Sequence, residues 1–156
     1  MNKKIKQIIS ILEDKNLKLS VAESCTGGML AQQITSVNGA SKVFTYGVVT
    51  YSDQSKIKNL NVPYKIIKKY GSVSKECCTS MVKNLAKISK AKLNLSITGI
   101  AGPTGGSKNK PIGLVYIGIK KNKKIKIIKY LFKNKNRECI RKMSVQKSLE
   151  LIKKFI

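Results

Sequence analysis

The sequence predicts an α/β protein, a three-layer sandwich in which a mixed β-sheet carries helices on both faces. Three observations predict it. Short apolar strands alternate with amphipathic helical segments along the chain, two of those strands run straight into glycine-rich loops, and two later strands are joined by a short polar turn that reads as a hairpin. The elements follow in order. Residues 3–14 place Ile5, Ile8, Ile9 and Leu12 on one helical face. Residues 18–22 form a short buried strand ending at Glu23, and Gly27-Gly28 opens a helix to about Val37 that Asn38-Gly39 ends. Val43 to Tyr51 is β-branched and aromatic, the composition of a strand. Asp53 caps a short helix to Leu60, Pro63 starts another that Gly71 closes, and Ser74 caps a longer one to about Lys90. Residues 93–98, LNLSIT, form the next strand. Ile112–Ile119 and Lys124–Phe132 pair across KKNKK, and Arg137 to Ile156 is a last amphipathic helix with Ile140, Met143, Leu149 and Ile152 facing inward. With no linker or repeat in 156 residues, a single domain over 1–156 is expected.

Composition narrows the chemistry. There is no histidine, so imidazole acid–base catalysis is excluded. Seven acidic residues and four cysteines without CxxC spacing leave a metal site almost no ligands, and no cofactor is implied. The net charge of +25 has two readings. One is nucleic-acid binding, because counterion release rewards a dense basic surface. The other is compositional drift toward lysine, isoleucine and asparagine, which the even spread of the lysines favours. Either way the field draws anionic substrates. No apolar stretch approaches the roughly 20 residues of a membrane span. The apolar run after the N-terminal lysines is broken by Lys6 and Gln7, and no small-residue cleavage site follows, so a cytoplasmic protein without membrane contact is expected.

The candidate chemistry lies in AESCTGG at 22–28 and SITGIAGPTGG at 96–106. Glycines at strand ends let a ligand touch main-chain N–H groups, and two such loops at one sheet edge make a cleft for a small anion. Taken singly, each loop is equally well read as a plain turn. Between them Ser41 precedes a strand and Lys56 follows it. Without histidine, a serine nucleophile takes lysine as its base. That lysine has to be desolvated or near another cation to lose a proton at neutral pH, its ordinary pKa being about 10.4. In so lysine-rich a chain, coincidence is the competing account of the pair. Of 32 basic residues only Arg137 and Arg141 are arginines, four apart on the last helix. A guanidinium grips phosphate or carboxylate with a planar fork that lysine lacks; salt bridges to Glu138 or Glu23 are the alternative. Cys25 reads as packing and Tyr46 as core, while Tyr51 is placed to touch substrate or orient Lys56.

Four stretches, AESCTGG, GASKVFTYGVVTYSDQSK, SITGIAGPTGG and KPIGLVYIGI, closely resemble in order and spacing the CinA C-terminal domain family, which includes stand-alone nicotinamide-mononucleotide deamidases. The resemblance spans about residues 5–153 and is to the stand-alone form. It implies hydrolysis of the amide of nicotinamide mononucleotide to nicotinate mononucleotide and ammonia, in pyridine nucleotide salvage, by a metal-free Ser–Lys arrangement. It places the nucleophile on Ser41 and the base on Lys56, with Ser24 as the rival nucleophile. Ser24, Thr26, Gly27, Gly28 and Tyr51, with Thr98, Gly99, Gly102, Gly105 and Gly106, then bind substrate or supply oxyanion donors. Arg137 reaches for the phosphate, with Arg141 beside it. The family also implies a homodimer. Three positions depart from its pattern: Asp53 stands where asparagine is commoner, Thr104 where aspartate is common, and KNRECIR replaces GDR-x-x-VR. The alternative function is a basic, nucleic-acid-associated or competence- and damage-related binding protein that retains the fold.

Overall fold

The computed structural model describes the backbone of residues 2–156 and side chains from Lys3 onward. Its first half runs α1 (Asn2–Asp14), β1 (Leu19–Glu23), α2 (Met29–Thr35), α3 (Ala40–Val43), β2 (Phe44–Val49) and α4 (Asp53–Leu60). The second half runs α5 (Tyr64–Tyr70), α6 (Lys75–Ser89), β3 (Leu93–Gly99), β4 (Leu114–Lys121), β5 (Lys124–Leu131) and α7 (Arg137–Phe155). The strands form one mixed sheet in the order β2-β1-β3-β4-β5. β1 is parallel to both β2 and β3, and β3, β4 and β5 are antiparallel to their neighbours. The expected α/β sandwich is the observed architecture.

The parity of β1 divides the two cores. Leu19 and Val21 join Leu93, Leu95 and Ile97 in a cluster with Ile5, Ile8 and Leu12 of α1, Leu30 of α2 and Ile140 of α7. Ala22, one residue out of phase, joins Leu60, Val62, Ile67, Met81 and Leu85 beneath α4, α5 and α6. All five residues of β1 are buried, the pattern of a parallel strand covered on both faces. Each fully buried Leu or Ile contributes about 1.5–3 kcal/mol of hydrophobic stabilisation. Beneath α6 the sheet is polar instead: Ser20 donates to Asn94 Oδ1 at 2.6 Å, and Ser96 donates to the Cys78 carbonyl at 3.0 Å. Those hydroxyls are fully buried and partnered, so they cost little.

Connections between parallel strands set the position of the cleft. From β1 the chain reaches β2 through α2 and α3 on one face, then returns over the other face through α4, α5 and α6 to β3 on the far side of β1. Strand order reverses around β1, and the carboxyl ends of strands at such a switch point open a crevice.

Three local expectations are corrected. The helix after Gly28 ends at Thr35, and a further turn, α3, begins after Gly39, whose φ of 89° suits glycine. The strand therefore starts at Phe44. Ser52, not Asp53, caps α4: its extended backbone lets its hydroxyl accept from Ser55 N at 3.0 Å, and Asp53 falls in the first turn where its charge suits the helix dipole. Ser74 caps α6 as expected, accepting from Cys77 N at 3.1 Å and donating to the Gly71 carbonyl at 2.8 Å. Ser74→Ala removes both bonds and is expected to cost about 1–2 kcal/mol, read as a lower urea midpoint with an unchanged denaturant slope.

Candidate active site

Register brings three strand ends to one edge. Glu23 lies opposite Val49 on one side and Ile97 on the other. The ladder continues one step further, with Thr50 N donating to the Glu23 carbonyl at 2.8 Å and Ser24 N to the Ile97 carbonyl at 3.0 Å. Alternation then sends consecutive side chains to opposite faces. Glu23, 1% exposed, turns toward α2, where its carboxylate accepts from Leu30 N at 3.1 Å and Ala31 N at 2.8 Å. Its charge is met by a helix N-terminus, with no cation needed. Ser24 turns the other way, toward α4.

There it meets Lys56. The lysine is 1% exposed, yet no carboxylate pairs with it among the described residues. Its Nζ donates to Ser24 Oγ at 3.1 Å, to the Thr50 carbonyl at 2.9 Å and to the Tyr51 carbonyl at 3.3 Å. Burial pushes its pKa below the usual lysine value, against smaller opposing effects from Cys77, Asp53, Cys25 and Tyr51. Three oxygen neighbours satisfy three N–H groups of the ammonium. When the amine is neutral, two carbonyls still take two N–H groups, and the lone pair is left facing the serine hydroxyl. The arrangement serves both protonation states and can pass a proton between Ser24 and Lys56.

The pair opens onto a cleft of about 290 Å³. Tyr51, Thr98, Gly99, Gly102 and Gly105 line it. Thr98 is tied in place by donating to the Ser72 carbonyl at 2.8 Å. Ser72 and Val73, ahead of α6, also line the cleft and escaped the sequence reading, as they carry no glycine motif. A larger groove of about 340 Å³ between α1 and α7 is lined by Lys4, Ile8, Gln146, Leu149, Glu150 and Lys153, without a comparable nucleophile. Arg137 crosses the cleft mouth, donating from Nη1 to the Gly102 carbonyl and from Nη2 to the Tyr51 hydroxyl, both at 2.8 Å.

The family model described as the CinA C-terminal domain matches residues 1–156. The chain belongs to that family. Among its relatives, one from Thermoanaerobacter pseudethanolicus is 44% identical over 149 residues, and one from Clostridium botulinum is 45% identical over 147. Both bear the name competence-damage inducible protein. The chain spans only 36% of the length of these relatives, while 96% and 94% of it is matched. Among solved structures, the competence/damage inducible protein CihA from Agrobacterium tumefaciens superposes with a TM-score of 0.94 at 33% identity, covering 97% of this chain and 92% of that one. A competence-damaged protein (CinA) superfamily protein from Escherichia coli gives 0.95 at 26% identity, covering 99% and 90%.

In this CinA C-terminal domain the expected Ser41–Lys56 pair is not formed. Ser41 is exposed on α3, which enters β2, whereas Lys56 follows the exit of that strand. A strand of six residues rises about 20 Å, so the two side chains lie at opposite ends of β2. Ser24, the rival, holds the place beside Lys56. Gly27, Gly28, Gly106 and Arg141 do not line the cleft, contrary to expectation, and Thr26 follows its Ser24–Cys25 lining without itself lining it. Thr26 is fully buried, and Arg141 donates to its carbonyl at 2.8 Å from behind the loop. Neither arginine forms the alternative salt bridge; Glu138 pairs with Lys142 at 2.5 Å, and Glu23 caps α2. The Cys25 thiol is pushed up to about 12 by burial, which fits packing and leaves no thiolate at neutral pH.

The lowered Lys56 pKa has a stability consequence of definite sign. Between its folded pKa and 10.5 the unfolded chain binds more protons, so Lys56 adds stability as pH rises through that interval. The urea midpoint of the parent minus that of Lys56→Met, measured from pH 7 to 10, is expected to increase with rising pH, whichever protein is the more stable at pH 7; a value that stays flat or falls contradicts the lowered pKa.

Proposed function

We propose that this CinA C-terminal domain is a serine amidohydrolase that removes the amide of nicotinamide mononucleotide, with Ser24 as nucleophile and Lys56 as base. The observation that carries the reading is the 3.1 Å contact between Lys56 Nζ and Ser24 Oγ, in a buried, carboxylate-free setting at the foot of a cleft. Desolvation is how a lysine becomes a base near neutral pH. The choice of substrate rests on the family resemblance, which extends over the motif residues that build this cleft.

In the first half-reaction Ser24 Oγ bonds to the carboxamide carbon as its proton passes to Lys56 Nζ. The resulting ammonium returns a proton to the amide nitrogen, the C–N bond breaks, and ammonia leaves an ester on Ser24. Water then attacks the ester, giving its proton to Lys56, which protonates Ser24 Oγ as nicotinate mononucleotide departs. The N–H groups of Cys25 and Thr26 donate to no other residue among the described ones. They follow the nucleophile directly and are the candidate donors to the tetrahedral oxyanion. Among the described residues Arg137 is held by two neutral acceptors, the Gly102 carbonyl and the Tyr51 hydroxyl. A phosphate offers its fork a stronger, charged partner.

Ammonia release from nicotinamide mononucleotide by the purified chain is expected to rise with pH as Lys56 loses its proton, levelling off below 10.5. Ser24→Ala is expected to lose at least ~1,000-fold in kcat, and Ser41→Ala to stay within about twofold because its hydroxyl faces solvent. Full activity in Ser24→Ala, or loss only in Ser41→Ala, overturns the assignment.

A further inference from the structure

We infer that Arg141 is a positioning residue for the Ser24 loop, shaping the turn that presents free N–H groups beside the nucleophile. The catalytic part of this inference rests on the amidohydrolase reading above; the mechanical part does not. Ser24 to Gly27 forms a tight turn closed by Gly27 N donating to the Ser24 carbonyl at 3.0 Å. The Thr26 carbonyl, which belongs to the same peptide as Gly27 N, accepts from Met29 N at 3.2 Å and from Arg141 Nη2 at 2.8 Å. The Thr26–Gly27 peptide is thus fixed through both its oxygen and its nitrogen. The N–H groups of Cys25 and Thr26, on the two preceding peptides, donate to no other residue among the described ones. Successive free N–H groups in such a turn form an anion-binding concavity.

Close packing points the same way. Gly27 has φ of 59°, and a Cβ built on it lies 3.4 Å from Arg141 Nη2, so the guanidinium lies against the back of the loop. Arg141 Nε is buried with no partner, and no carboxylate pairs with the side chain among the described residues. Among the described residues its one hydrogen bond is to the loop. Arg137, one turn earlier on α7, reaches over the cleft itself, so the two arginines divide the work between ligand side and loop side. A flexible lysine supplies charge at this place without the planar group that fills the space behind Gly27.

The test compares the parent with Arg141→Ala and Arg141→Lys by hydrogen exchange and by ammonia release. Exchange at Gly27, Met29, Leu30 and Ala31 is expected to speed up at least tenfold in both variants, with the second half of α7 unchanged. With nicotinamide mononucleotide, kcat of Arg141→Ala is expected to fall ~100-fold, as for a misplacement of about 1 Å, while KM stays within about threefold. Added guanidinium ion is expected to restore part of that kcat and to leave the parent unaffected. If Arg141→Ala does not fold, Arg141→Lys is read in the same way. Parental exchange at 27–31 overturns the tie to the loop. A rise in KM alone, or parental kcat, overturns the positioning role. A parent that releases no ammonia defeats the amidohydrolase reading, and exchange still decides the mechanical one.

Discussion

A lysine amine enclosed by protein, with a serine hydroxyl and two main-chain carbonyls as its neighbours and no carboxylate partner, is the arrangement on which the rest of the site depends. Burying an ammonium is costly, and a protein meets that cost by pairing it or by letting it shed its proton. Among the described residues no carboxylate pairs with it, so the balance moves toward the neutral amine. Asp53, on the same helix, is exposed and serves the first turn of α4 instead. The same burial that makes Lys56 a burden to the fold lowers its pKa, the property that the proposed base role requires.

Holding a hydroxyl against that amine falls to the sheet. A parallel strand covered on both faces sends alternate residues to different cores, and at its carboxyl end β1 sends Glu23 to one and Ser24 to the other. Glu23 anchors α2 and so fixes where the chain turns; Ser24 takes the side on which α4 waits. A one-residue slip in β1 would exchange the two, burying a carboxylate beside Lys56 and turning the hydroxyl toward α2. The ladder bonds of Ser24 and Thr50 at this edge resist such a slip.

Much of the fold was legible because its signals are local. The face of α1, the cap at Ser74, the closing Gly71 and the hairpin between β4 and β5 are each written within a few residues. The short α3 was missed because four residues are too few to show a helical period, and the cap that Ser52 makes on α4 was credited to the neighbouring aspartate, an equally good capping residue by type. Within the site, the glycine loops and Lys56 were visible as motifs, whereas the partner of Lys56 was misassigned to Ser41.

The sequence by itself determined the class of fold, the absence of imidazole chemistry, the two glycine-rich strand ends and the small set of serines and arginines worth considering. Tertiary structure decided which of them meet. Ser24 and Lys56 are joined through strand register and the packing of α4, and nothing in the spacing of two residues along a chain reports the side of a sheet on which each emerges. Burial separates Lys56 from its many exposed counterparts in the same way: every lysine has one chemical identity in the sequence, and only the surrounding fold changes its solvation.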